Sequence, residues 1–202
     1  MYWRLSALLE VVEVSCYQDK AVAIAGLGGL GSNIAVMLAR SGVGNLLLID
    51  YDRVEYSNLN RQYYLPCHVG RLKAEALTEQ LLQINPALQL TVRVEKITAE
   101  NAAELFAQWP LVCEALDDAA AKAMLINTLL KDKKKIIVSG SGMAGLGSAN
   151  AIYTARKMAR LYVCGDESSD MEQENMWAPR VQICAGHQAN MVLRLLAGWQ
   201  EP

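Results

Sequence analysis

The sequence predicts an α/β fold: a doubly wound, mainly parallel sheet with helices on both faces and a short antiparallel strand pair near the C-terminus. Three observations carry that expectation. Short runs rich in Val, Ile and Leu alternate with longer stretches of helical period. One run, AVAIA at 21–25, passes through a glycine-rich turn directly into a helical pattern. The last two strand-like runs, 151–155 and 160–163, lie close enough in sequence for a tight connection.

The elements follow in order. Residues 2–15 have the spacing of a short amphipathic helix, with Leu5, Leu8, Leu9 and Val12 on one side. The first strand, 21–25, is small and apolar, with β-branched Val22 and Ile24. Gly26-Leu27-Gly28-Gly29-Leu30-Gly31 reads G-x-G-x-x-G. A helix follows with Ile34, Met37 and Leu38 on one face, then a strand at 46–49 ending in Asp50. Residues 52–70 are polar, carry Asn58, Asn60, Arg61 and Gln62, and close on Pro66 and Gly70. They form a loop beyond the carboxyl end of strand two, the edge at which open α/β sheets bind ligands.

Residues 71–84 form a helix with Leu72, Ala76 and Leu81 inward, stopped by Asn85-Pro86. A strand at 88–94 precedes a helix capped by Thr98 and running through Trp109. A strand at 111–114 and a helix at 119–130 come next. The lysine-rich run 131–135 reads as the solvated C-terminal end of that helix, favourable to its dipole. A strand at 136–139 opens into Gly140-Ser141-Gly142-Met143-Ala144-Gly145-Leu146-Gly147. No helix follows this second glycine run, so it reads as a flexible turn rather than a second phosphate loop. After the strand pair, 164–177 is acidic and aperiodic, a mobile loop. The last helix spans 178–198 with Val181, Cys184, Met191 and Leu195 apolar. No repeat or linker divides the chain, and a single nucleotide-binding domain over 1–202 is expected.

Composition narrows the function. The formal charge is −2, from 19 basic and 21 acidic residues, so nothing electrostatic favours nucleic acid or an anionic membrane. No apolar run is long enough to span a bilayer and no signal peptide is evident. The five cysteines are scattered without a C-x-x-C, which argues against a disulfide framework and for a reducing, cytoplasmic setting.

Strand, glycine turn, helix, strand and terminal acid make a Rossmann-like unit. Gly26 permits the turn, Gly28 lets the backbone approach a phosphate, and Gly31 lets the helix pack against the sheet. The helix N-terminus offers unpaired N–H groups to an anion. Asp50 is placed to accept hydrogen bonds from ribose hydroxyls. Gly-rich turns also occur as plain structure, so the kind of nucleotide must come from the rest of the chain.

GLGGLGS, LIDYDRVEYSNLNRQ, the Gly-x-x-Lys at 70–73 and ALDD at 115–118 together resemble the ThiF/MoeB/HesA family, bacterial relatives of the ubiquitin-activating enzymes. The resemblance covers nearly the whole chain, and the closing APRVQICAGHQANMVLRLLAG looks like that family's last helix. The short chain looks most like the compact ThiF type linked to thiamine (thiazole) biosynthesis. The resemblance implies an ATP-dependent adenylyltransferase acting on the C-terminal glycine of a ThiS-like ubiquitin-fold sulfur carrier, usually as a homodimer. It implies a nucleotide-binding set of Gly26, Gly28, Gly29, Gly31, Asp50, Asp52, Asn58, Arg61 and Lys73. Asp50 would hold the ribose, Asn58, Arg61 and Lys73 the phosphates, and Asp117 the Mg²⁺. Arg61, Lys73 and Asp117 form the implied catalytic group, with Cys164 as a candidate functional thiol. The bland alternatives are a surface Arg61, a surface Lys73, Asp117 as a helix N-cap and Cys164 as an inert strand-end residue.

The chemistry agrees independently. A carboxylate nucleophile is ionised at neutral pH and needs no general base, and the chain has only two histidines, His68 and His187. It does need cations to screen one anion's approach to another, and Arg, Lys and Mg²⁺ serve that end. Three departures stand out. The paired C-x-x-C of longer relatives is missing, so no structural zinc is expected. No cysteine lies just ahead of Ala178-Pro179, since Cys164 sits at the start of that loop. Arg4 is the only arginine before Gly26 available for a role across subunits. Two other functions compete: an NAD-dependent oxidoreductase, which Asp50 alone permits, and a non-catalytic carrier-binding scaffold of the same fold.

Overall fold

A computed structural model describes residues 17–170 and 173–202. The expected helix at 2–15, Arg4 and Cys16 lie outside the described residues.

Seven strands form one sheet: β1 (Ala21–Ala25), β2 (Asn45–Ile49), β3 (Gln89–Arg93), β4 (Leu111–Glu114), β5 (Ile136–Gly140), β6 (Tyr153–Met158) and β7 (Leu161–Gly165). Their order is β3-β2-β1-β4-β5-β7-β6. All neighbours pair in parallel except β6 and β7, the expected antiparallel pair. Strand order reverses between β1 and β4, so the flanking crossovers diverge there and leave a crevice at the carboxyl edge.

The helices are α1 (Gly29–Arg40), α2 (Lys73–Ile84), α3 (Ala102–Leu105), α4 (Ala119–Leu129) and α5 (Ala178–Leu196). β1 shows how the sequence selects two covered faces. Val22 and Ile24 join the core beneath α1, α2 and α5, whereas Ala23 and Ala25 join the one containing Phe106 and Leu125. Successive strand side chains alternate faces, and both faces of a parallel sheet are buried, which is why β1 is apolar throughout. Gly31 fixes the spacing of α1 from the sheet: a Cβ there would lie 1.8 Å from the Gly26 carbonyl oxygen.

Three local expectations need correction. The helix expected from Thr98 through Trp109 is a single turn, Ala102–Leu105. The Asn101 side chain accepts from the Thr98 N–H and donates to the Lys96 carbonyl, turning the chain before the helix starts. Lys135, expected in solvent, is only 3% exposed. Its ammonium donates to the Phe106, Ala107 and Trp109 carbonyls, where the chain turns out of α3 and the Ala107 and Trp109 N–H groups bond three residues back, to the Glu104 and Phe106 carbonyls. Finally, the segment expected to be a mobile loop from Cys164 begins as strand: β7 runs to Gly165, and Asp166 ties down the residues after it.

Candidate functional site

A cavity of about 300 Å³ opens at the carboxyl edge of the sheet, in the crevice beside β1. The N-terminus of α1 forms its floor. Gly28 is the N-cap and supplies no side chain to the helix N–H groups. The Ser32 hydroxyl and the Asn33 amide turn back to the Gly28 and Gly29 carbonyls, so the first turn's donors are not consumed by capping. The nearest atom to a Cβ built on Gly28 is Gln62 Nε2, at 3.7 Å. A Cβ there thus meets only ordinary contact, and the open space lies at a helix N-terminus, where an anion can be received.

Beyond β2, Asp50 is 9% exposed and held by two amides. The Leu27 N–H donates to Oδ2 at 2.7 Å and the Asp52 N–H to Oδ1 at 2.8 Å. Burial raises its carboxyl above the ordinary range, and the positive charge of Lys73 opposes that rise. Each oxygen keeps a lone pair for another donor. Lys73, at the start of α2, is 7% exposed and pairs with Asp52 at 2.9 Å. A lysine this enclosed is not a surface residue, and its ion pair keeps the ammonium beside the cavity.

Arg61 also lines the cavity. Its Nη1 donates to the Ser57 carbonyl at 2.9 Å and to Asn60 Oδ1 at 2.8 Å. Asn58 is not in the lining. It is buried, its Oδ1 accepts from the Glu55 N–H, and its carbonyl accepts from the Arg61 and Gln62 N–H groups. Its part is to hold the turn that presents Arg61.

Asp117 also lines the cavity, from the turn between β4 and α4. It is not the helix cap. Asp118 takes that place, its Oδ1 accepting from the Ala121 N–H at 2.7 Å. The turn is braced from beneath by Glu114, which is fully buried. Glu114 accepts from the Leu116 N–H, the Ser139 hydroxyl and Lys122 Nζ, and Lys122 also donates to the Leu116 carbonyl.

The structure therefore gathers Gly26, Gly28, Gly29, Asp50, Asp52, Arg61, Lys73 and Asp117 around one space. Gly31 sits below it as a packing residue. Cys164 is not brought there: it is fully buried, 3.4 Å from Thr154 Oγ1, and burial pushes its thiol up to about 11. A thiol so enclosed and so weakly acidic is a poor nucleophile. Residues that sequence reasoning did not assign complete the lining. Gln62 and Lys122 are two, and the 140–144 segment with Ser169 and Met176 makes the opposite wall. One signal for that wall was available: its glycines follow the carboxyl end of a parallel strand.

Among the described residues no group of three metal-ligating side chains is preformed. Mg²⁺ does not require one, because it is commonly held by one or two carboxylates together with substrate phosphates. Asp117, in the lining of the same cavity as the uncapped α1 N-terminus, fits that mode.

Fold and site together define a nucleotide-binding domain of the Rossmann type, whose cavity brings Arg61, Lys73 and Lys122 together with the carboxylates of Asp50, Asp52 and Asp117 beside an uncapped helix N-terminus. The chain belongs to the ThiF family, whose model matches residues 12–202. It is 31% identical over 191 residues to the molybdopterin-synthase adenylyltransferase of Escherichia coli, covering 92% of this chain and 76% of that protein. Ubiquitin-like modifier-activating enzyme 5 of Caenorhabditis briggsae is 43% identical over 108 residues, and the match spans 52% of this chain but only 25% of that protein. Among solved structures, the E. coli tRNA N6-threonylcarbamoyladenosine dehydratase in complex with AMP superimposes with a TM-score of 0.85 at 23% identity. That match covers 96% of this chain and 93% of the other, and the same protein is also known in complex with ATP.

Proposed function

We propose that the protein is an ATP-dependent adenylyltransferase. It activates the C-terminal glycine carboxylate of a ThiS-like ubiquitin-fold sulfur carrier in thiamine biosynthesis. The observation that carries the reading is the make-up of the cavity. An uncapped helix N-terminus, Lys73 and Arg61 line it together with a carboxylate released from capping duty, Asp117. Family membership and a relative that is itself an adenylyltransferase support the same chemistry.

The reaction needs little more. A carboxylate oxygen of the carrier attacks the α-phosphorus of ATP while the bond from that phosphorus to the pyrophosphate oxygen breaks. The products are an acyl-adenylate and pyrophosphate, and no proton is transferred. The protein's work is positional and electrostatic. The α1 N-terminus seats phosphate oxygens, Asp50 accepts from the ribose hydroxyls, and Lys73 and Arg61 screen the approaching anion. Mg²⁺, held by Asp117 and phosphate oxygens, would neutralise charge on the departing pyrophosphate. No histidine or cysteine lines the cavity among the described residues, in keeping with a nucleophile that arrives ionised.

An NAD-dependent oxidoreductase would leave Arg61, Lys73 and Asp117 without a task. A carrier-binding scaffold would not need them converging. The protein acts as a homodimer in this reading, in a cytoplasmic setting; no helix among the described residues is long and apolar enough to cross a membrane. The test is pyrophosphate exchange into ATP with a panel of carriers ending in Gly-Gly. Exchange dependent on a ThiS-like carrier is the expected result. Exchange with another carrier alone would retain the chemistry and overturn the pathway.

A further inference from the structure

The cavity's two sides are built from different halves of the sheet. Gly26–Gly29 and Asp50 belong to β1 and β2, whereas Gly142, Ala144 and Ser169 come after β5 and β7. A nucleotide seated on the first side leaves the second as the boundary for whatever attacks it. That second wall draws on two loops, 141–148 and the described residues of 166–176, among which no helix is found.

These loops are fastened by a charge pair that the chemistry above does not use. Arg180, on the first turn of α5, is 5% exposed, and the side chain of Asp166 is 8% exposed. Arg180 Nη2 donates to Asp166 Oδ2, and Nη1 donates to the Ser148 carbonyl at 2.7 Å. One guanidinium thus grips the far end of the first loop and the near end of the second. Asp166 Oδ1 accepts from the Ser168 and Ser169 N–H groups at 2.9 and 2.7 Å. This folds the second loop so that the Ser169 hydroxyl accepts from the Ala144 N–H at 3.0 Å. The Asp166 and Glu167 N–H groups donate to the Gly142 and Ser141 carbonyls. Backbones approach so closely that a Cβ on Gly165 would lie 1.7 Å from the Ser141 oxygen.

A buried ion pair is weak evidence for stability, because desolvation offsets the attraction, but it does select one geometry over others. The geometry selected here is that of the wall. We propose that Arg180 and Asp166 are positioning residues that shape the acceptor side of the cavity. They set the affinity for the second substrate, a protein's extended C-terminal glycine tail, and leave the nucleotide side untouched. This rests on the adenylation reading above, so its test includes measurements that do not.

The experiment compares Arg180→Met, Arg180→Lys, Asp166→Asn and the milder Ser169→Ala in the full chain. The measurements are ATP–Mg²⁺ binding, amide hydrogen exchange, and pyrophosphate exchange against ThiS-like carrier concentration. A hydrogen bond to a charged group contributes enough that its loss should raise the carrier KM by roughly tenfold to a hundredfold, with kcat and ATP affinity within about threefold. Arg180→Lys should recover part of the loss, and Ser169→Ala should show a smaller shift in the same direction. The amides of Ala144, Ser168 and Ser169 should exchange faster in Arg180→Met, with those of β1 and α1 unchanged. An unchanged carrier KM in variants that bind ATP normally would overturn the proposal, as would ATP affinity falling in step with KM. If the unaltered protein exchanges no pyrophosphate with any carrier, the adenylation reading fails. Hydrogen exchange then still decides whether the pair holds the wall, and slow exchange at Ala144 in Arg180→Met refutes it.

Discussion

At the scale of single residues, neighbours of the same type have been given different work. Asp117 and Asp118 are adjacent carboxylates, yet only Asp118 accepts from a helix N–H. Asp118→Ala should therefore lower stability by about 1 kcal/mol and leave the rate per folded molecule intact. Asp117→Ala should leave the thermal midpoint in place and cut carrier-dependent pyrophosphate exchange about a hundredfold or more. Denaturation and exchange assays on the two variants separate the roles, and normal exchange in Asp117→Ala would remove the metal assignment. The glycines divide in the same way. Gly28→Val should fold but lose ATP-induced stabilisation, since the space around Gly28 is open until a phosphate occupies it. Gly31→Ala should fail to fold stably, because its methyl group would meet the Gly26 carbonyl. Cys164→Ala should keep pyrophosphate exchange, as adenylation uses no thiol and this one is buried.

At the scale of elements, the site depends on how helices and turns end. α1 begins without a side-chain cap and so presents its dipole to the cavity. α3 stops after one turn as the following N–H groups bond three residues back, and Lys135 ties the turn beyond it. Lys135→Met would leave the Ala107 and Trp109 carbonyls without this donor, the Phe106 carbonyl keeping the Trp109 N–H, and should cost about 1–3 kcal/mol, visible as a lower denaturation midpoint with unaltered ATP affinity. In sequence this lysine reads as surface because its neighbours in the run do; one position decides whether an ammonium meets water or the end of a helix.

At the scale of the whole molecule, nucleotide and pH act on the folded state through identifiable groups. ATP with Mg²⁺ should raise the melting temperature and NAD should not, by preferential binding to the folded chain. A shift with NAD alone would sink the ATP assignment. Asp166 supplies one part of the pH dependence. Burial would raise its carboxyl, but hydrogen bonds from Ser169 and Ser168 outweigh that and bring it to about 2, below its ordinary 3.8. A depressed carboxyl stabilises fully above its unfolded value and loses that contribution as the native state is protonated. Stability should thus hold down to about pH 4 and fall between there and pH 2, and Asp166→Asn should flatten that part of the curve. Sedimentation tests the assembly: a fully active monomer at micromolar concentration would remove the homodimer.

What the sequence determined alone was whatever depends on local order along the chain. The period of apolar residues, the glycine turn after AVAIA and the acid at the end of β2 predicted the parallel sheet. They also marked its carboxyl edge as the candidate site, and Arg61, Lys73 and Asp117 line one cavity there. Alternation and turn chemistry act over a few residues, so they survive in one dimension. Tertiary structure alone decided the rest, because each case turned on contacts between distant segments. Asn58 became a support for Arg61, Cys164 was enclosed, and the second glycine run became a cavity wall once Asp166 and Arg180 closed on it. Whether a polar side chain meets solvent, substrate or another buried charge depends on what packs against it. Between Ser148 and Arg180 that neighbour comes from a different part of the chain.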